Sequence, residues 1–239
     1  MIDVRPLATL GAANHGWLDA RHHVSFASYH DPERMGWGSL RVWNDDRIAP
    51  RSGFPPHPHR DREIITHVRE GAITHEDSLG NRGRTAAGDV QVMSAGTGVT
   101  HAEWNEEPVE TRIFQIWIEP RVRGIVPAWG MKAFPKTARA GRFVALASGL
   151  GDEDACSIEA DSRLLGATLA AGQRTEVALA PGGRAYLVGA TGRFRVNGIE
   201  VAARDGVAIR DLDALEIEAL EASELLLVET LPATPVGGA

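Results

Sequence analysis

PPHPHRDRE, residues 55 to 63, and GTGVTHAEWN, residues 96 to 105, are the two stretches on which the reading of the fold turns. Each carries an i, i+2 pair of ligand-type side chains, His57 with His59 and His101 with Glu103. Because successive side chains of a strand point to opposite faces, each pair shares a face if its stretch is extended. Two such pairs on facing strands can surround one ion. Two or three imidazoles with a carboxylate and open positions suit a non-haem Fe(II) centre, where neutral nitrogen and charged oxygen bind the cation. The bland alternative is solvated loop histidines, and a lone His-x-His would favour it. The second pair, arriving after a Gly-rich turn, tips the balance towards a metal site.

The sequence around these stretches reads as all-β. Short runs rich in Val, Ile, Thr and aromatics, such as 40 to 43, 64 to 68, 90 to 93 and 113 to 118, recur between Gly, Pro, Asn and Asp. The run Asp77-Ser78-Leu79-Gly80-Asn81-Arg82-Gly83 supplies residues that tolerate positive φ, and predicts a hairpin connection. Many short antiparallel strands suggest a jelly roll. The stretch 120 to 143 lacks sustained alternation and holds Gly124, Pro127, Gly130, Pro135 and Gly141. It reads as the connection between two halves, with the boundary near residue 135.

The second half reads as a copy of the first. AYLVGATG, 185 to 192, lies without gaps on IITHVREG, 64 to 71, and 194 to 196 then follows 73 to 75. Continued backwards, the alignment sets Ala178 and Ala180 where His57 and His59 stand. All nine histidines lie at or before position 101 and all six tryptophans at or before 129, so any imidazole chemistry belongs to the first half. The expectation is an N-terminal domain, 1–134, with the metal site and a degenerate, supporting C-terminal domain, 135–239.

Composition narrows the function classes. At 239 residues the chain suits two domains of ordinary size. Asp and Glu (32) exceed Lys and Arg (25), a net charge of -7, which argues against electrostatic binding to nucleic acid. No stretch approaches the roughly 18 apolar residues of a membrane-spanning helix, and the N-terminus lacks a basic region followed by an apolar one. A cytoplasmic protein is expected. The single cysteine, Cys156, excludes an intrachain disulfide and gives no Cys-based site.

The two histidine stretches also resemble the cupin motifs, here Gly53, His57, His59, Glu63, Gly71 and then Gly88, Gly96, Gly98, His101, Asn105. The likeness to the pirin family is closer, through YHDPERMGWGSLRVWNDDRIAP (29 to 50), PPHPHR (55 to 60), EDSLGN (76 to 81) and AGTGVTHAEWN (95 to 105). It covers most of the first 130 residues; the second half resembles the family only in length and strand pattern. Asp61-Arg62 depart from the small and apolar residues usual there, which bears on the pocket rim. The resemblance implies an all-β bicupin of two jelly-roll β-barrel domains, with one Fe(II) or other divalent ion in the first.

Which carboxylate binds the ion is not decided by parity, since Glu63 shares that of His57 and His59. The resemblance implies three histidines with the Glu of the second motif: His57, His59, His101 and Glu103. Glu63 is then a supporting or ion-pairing residue and a reserve base. His67 and His75 could line the pocket, with buried, hydrogen-bonded histidines as the commoner case. His15, His22, His23 and His30, in the N-terminal lead-in, are expected to have a basic or solvated role and not to bind metal. Trp37, Trp43, Trp104 and Trp117 either wall an aromatic-substrate cavity or fill the core. Trp104 should point opposite to Glu103.

The resemblance further implies a ring-cleaving dioxygenase acting on a flavonol such as quercetin with O₂. Glu103 would serve there as ligand and general base. Two other readings share the fold: a non-enzymatic, metal-dependent regulator working through protein contacts, and a cupin isomerase or sugar-binding protein. Fe(II) is the expected ion, and His and carboxylate ligands equally suit Mn, Ni, Cu and Zn. A small aromatic substrate, O₂ and a monomeric chain complete the expectation.

Overall fold

The computed structural model describes residues 1–232. Its regular structure is strand apart from three short 3-10 turns among the described residues, as the alternation predicts. None of its helices is long and apolar enough to cross a membrane.

Each half of the chain pairs a seven-stranded sheet with a four-stranded one. In the first half, the four-stranded sheet runs Ser52–His59, Val99–Asn105, Ala72–Asp77, Arg82–Ala86. In the second, Arg174–Ala178, Ala214–Ala219, Phe194–Val196 and Ile199–Val201 follow the same order. The architecture is a bicupin. Each half is a jelly-roll sandwich whose two sheets enclose one interior instead of closing into a single hydrogen-bonded barrel. The internal repeat is topological too: Glu63–Glu70 and Arg184–Thr191 hold the third place from one end of their seven-stranded sheets. The predicted hairpin joins Ala72–Asp77 to Arg82–Ala86, with Gly80 at φ +88°.

One edge strand crosses between the halves. Ile2–Arg5 lies beside Gly206–Arg210 in the second large sheet, the place that Ala128–Lys132 takes beside Val90–Ser94 in the first. The chain therefore starts on the far sandwich.

The two large sheets pack back to back. Their shared core joins Trp43, Ile65, Phe114 and Ile116 from the first half to Leu164, Tyr186, Leu226 and Val228 from the second. Polar groups cross the same boundary: Asp45, which also accepts from Arg69, accepts from Arg204, and Glu224 stands 3.5 Å from His67 Nε2. The interiors of the two sandwiches differ. In the second, Leu187, Phe194, Leu215 and Ile217 belong to one apolar cluster. The first holds two smaller apolar clusters, around Ile48 and Ile113 and around Ile64 and Met93. Buried polar side chains lie with them, among them Asp46, Thr66, His75, Gln91, His101, Glu103 and Gln115.

Candidate metal centre

Proline chemistry shapes the strand that carries the first pair. Pro55, Pro56 and Pro58 have no N–H to donate, which confines such a strand to a sheet edge, and Ser52–His59 is the edge of its sheet. His57 stands opposite His101 in the register, and Phe54 opposite Glu103. Two residues, Pro55 and Pro56, thus face the single Ala102 in a bulge. The bulge brings His57 onto His101 while leaving Glu103 a step deeper.

The ligand nitrogens of His57, His59 and His101 lie within 4.8 Å of one another. His57 Nε2 and His101 Nε2 are 3.1 Å apart. Two nitrogens about 2.1 Å from one ion and at right angles across it would stand about 3.0 Å apart, so the spacing fits a divalent cation. The tautomers fit as well. His57 Nδ1 is 2.8 Å from the Pro55 carbonyl, which can only accept, so the proton sits on Nδ1 and the Nε2 lone pair is free. Burial, followed by the neighbouring imidazoles, pushes His101 down to about 2 and His59 to about 4. Both are neutral donors at physiological pH.

Glu103 lies outside this trio, with its side chain buried. Its Oε1 accepts from Thr66 Oγ1 at 3.0 Å and Gln91 Nε2 at 2.6 Å, and its Oε2 from Gln115 Nε2 at 2.6 Å. A carboxylate offers about four lone-pair sites, so three donors leave one, on Oε2, for an ion or a proton. Burial raises the Glu103 pKa, making it a stronger base than an ordinary carboxylate. Asp46 is a second buried carboxylate nearby, raised well above the usual range by burial and then by Asp45 and Glu103.

Glu63 faces elsewhere. Its Oε2 accepts from Ser94 at 2.6 Å, and its other charged neighbours are Glu159 and Arg121 of the junction. Its alternates on the strand, Ile65 and His67, face the second half, where His67 Nε2 stands 3.5 Å from Glu224. Glu63 is therefore corrected from reserve base to a residue of the junction. The parity count failed because it crossed a break: the strand ends at His59, Asp61 takes φ +48°, and Glu63 opens a strand of the other sheet.

The lead-in histidines need a similar correction. His15 and His30 are exposed, but His22 and His23 are buried. His22 Nδ1 pairs with Asn44 Oδ1 at 2.8 Å, and His23 Nδ1 with the Tyr186 hydroxyl at 3.1 Å. The tryptophans divide. Trp43 is core, and Trp104 is 39% exposed, opposite to Glu103. Trp117 stands edge-on to His59, ring centroids 4.9 Å apart, with Phe26 behind it at 5.4 Å. Phe54 lies 6.4 Å from His57 and meets Trp17 at 5.1 Å. Aromatic rings thus flank both half-buried imidazoles. Grooves of about 570 Å³ beside Arg174 and Glu218 and of about 480 Å³ at the junction beside Arg41 and Arg184 lie elsewhere, while smaller ones of about 370 and 320 Å³ adjoin His59 and His101.

Sequence reasoning gave too little weight to a third i, i+2 pair, His75 with Asp77. In the register His101 faces Asp77 and Glu103 faces His75. His75 Nδ1 lies 3.3 Å from His101 Nδ1, and His75 Nε2 lies 3.1 Å from Asp77 Oδ2. The signal was in the sequence, a His-x-carboxylate immediately before the hairpin.

The family model described as Pirin matches residues 4–118, and that described as the quercetinase C-terminal cupin domain matches 145–230. A pirin-like protein of Caulobacter vibrioides is 61% identical over 230 residues, 96% of this chain and 99% of that protein. The quercetin 2,3-dioxygenase of Escherichia coli K12 is 39% identical over 233 residues, 97% of this chain and 100% of that protein. The crystal structure of the bacterial pirin YhhW from Escherichia coli in complex with nickel(II) superposes with a TM-score of 0.92 at 38% identity, covering 98% of this chain and 100% of that one.

Proposed function

The chain belongs to the pirin family, and on that footing we propose that it is a dioxygenase that opens the ring of a flavonol such as quercetin with O₂. A single Fe(II)-type ion would be held by His57, His59, His101 and Glu103. The observation that carries the reading is the convergence of three imidazoles within 4.8 Å, flanked by aromatic rings and backed by a buried carboxylate of raised pKa. When bound, the ion supplies Lewis acidity that lowers the pKa of a chelating hydroxyl, together with vacant positions for O₂.

The chain's own residues do the rest. Trp117 and Phe54 hold a flat aromatic substrate against the half-buried imidazoles, a geometry aromatic rings favour. Glu103 Oε2, with its one open position, would partly leave the ion to receive the flavonol hydroxyl proton, and its raised pKa makes that transfer easier. Thr66, Gln91 and Gln115 fix the carboxylate so that the open lone pair keeps one direction. The second half, 135–239, serves as support for 1–134 in this reading, and the polar interior of the first sandwich leaves its stability to the packed junction.

The test is anaerobic reconstitution with Fe(II), counting metal per chain, then O₂ uptake on adding quercetin. A double variant, His57→Ala with His101→Ala, is the control. Metal-dependent uptake that matches flavonol loss and vanishes in the control is the expected result. Turnover in the metal-free variant overturns the mechanism; one metal bound without turnover overturns the substrate.

A further inference from the structure

We infer that Asp77 and His75 are positioning residues that act through His101, holding its proton on Nδ1 so that Nε2 is presented to a divalent ion. The inference rests on the reading of the three imidazoles as metal ligands. It extends that reading to a relay no sequence motif assigned.

The chain of hydrogen bonds admits one direction. If His101 Nε2 is to donate to an ion, its proton must sit on Nδ1, and the neighbour of that atom is His75 Nδ1 at 3.3 Å. His75 Nδ1 must then accept, which places its own proton on Nε2. That proton is donated to Asp77 Oδ2 at 3.1 Å. Asp77 cannot reverse the order, because it accepts from every other neighbour: Oδ1 from the Leu79 and Asn81 backbone N–H groups at 2.9 and 3.0 Å, Oδ2 from Asn81 Nδ2 at 2.9 Å. Burial alone would raise the Asp77 pKa, but the bonds from Asn81 and His75 outweigh it and hold it low. A carboxylate that orients an imidazole through its second nitrogen is a recurrent device at metal sites. Here the device is one imidazole longer.

The relay is clamped from the side. The His75 ring stacks on Trp129 with centroids 4.9 Å apart and planes 10° from parallel. Trp129 in turn lies over Gly83, where a Cβ would come within 2.2 Å of the indole. The hairpin that pins Asp77 thus also provides the flat seat on which the ring that holds His75 rests. The cross-strand register already sets Asp77 opposite His101 and His75 opposite Glu103, so the relay needs no distortion of either strand.

The experiment compares the wild type with His75→Leu, which keeps bulk but cannot accept, and His75→Gln, whose amide can accept from His101 and donate to Asp77. Ni(II) affinity is measured by competition with a chromophoric chelator, and the Co(II) visible spectrum reports ligand geometry. Ni(II) binding by His75→Leu should weaken by about 10- to 100-fold, with a changed Co(II) spectrum, and His75→Gln should recover most of both. Unchanged affinity in His75→Leu overturns the relay, as does a His75→Gln no better than His75→Leu. Failure of the wild type to bind Ni(II) overturns the metal site itself and the relay with it. If circular dichroism shows His75→Leu unfolded, Asp77→Asn takes its place with the same expectation for affinity and spectrum.

Discussion

Replacing His101 with Gln should make the metal-free protein less sensitive to acid than the wild type. An unfolded chain carries His101 with the ordinary imidazole pKa of about 6.5, whereas the folded chain, through burial and then the charges of His57 and His59, holds it at about 2. Below pH 6.5 the unfolded state therefore binds a proton that the folded state refuses. Stability present above 6.5 is lost progressively as the pH falls towards the folded value. Each pH unit is worth about 1.4 kcal/mol, so the step from 6.5 to 5 removes about 2 kcal/mol through His101 alone. The variant is spared that loss, whatever its stability at neutral pH. Urea unfolding with a chelator present, at pH 6.5 and 5, measures the difference. Its expected sign reverses on adding excess Ni(II) at neutral pH, where the wild type gains about 4 kcal/mol at a thousandfold excess over its dissociation constant and the variant gains less. Parallel pH dependence of the two metal-free proteins would refute the argument, because it would mean that the folded site accepts protons as readily as free imidazole does.

Three further outcomes follow from the placement of single side chains. Glu103→Gln should lower kcat for flavonol by about 10² to 10⁴ if Oε2 takes the proton, read in O₂ uptake by chains matched for bound metal. Glu63→Gln should leave Ni(II) affinity and turnover within about twofold of wild type, since Glu63 faces Ser94 and the junction; a larger loss of either would return it to the site. Trp117→Ala should raise KM for quercetin by about fivefold to tenfold with little change in metal affinity, the loss of about 1 kcal/mol of ring contact beside His59.

How much of this was legible in the sequence depended on how far each signal had to reach. His57 with His59 and His101 with Glu103 were readable because each pair lies within one strand, where alternation fixes the face. The hairpin at 77 to 83 was readable for the same local reason. Glu63 was misread because the count from His59 passed through Asp61 at positive φ and into a strand of another sheet. His22 and His23 were misread because their burial is made by distant partners, Asn44 and Tyr186, the second lying 163 residues away. The pairing of Ile2–Arg5 with Gly206–Arg210 is of the same kind, and no local pattern announces it. His75 was half legible: its spacing to Asp77 was visible, its contact with His101 required the register of a third strand.

The two sandwiches show why one fold can serve as site and as scaffold. Both keep the same strand order, so the difference lies in what the inward positions carry. Where Val99–Asn105 turns His101, Glu103 and Asn105 inwards, Ala214–Ala219 turns Leu215, Ile217 and Ala219. Buried carboxylates and imidazoles cost stability unless each is neutral or bonded, and Asp46 Oδ1 has no hydrogen-bond partner among the described residues. A sandwich with such an interior gains less from its own core than its neighbour does. The compensation is outside it: Trp43, Ile65, Phe114 and Ile116, on the outer face of the first large sheet, are buried only because Leu164, Tyr186, Leu226 and Val228 cover them. The first half could keep a polar interior suited to a metal because the second half supplies the apolar surface that its outer face requires.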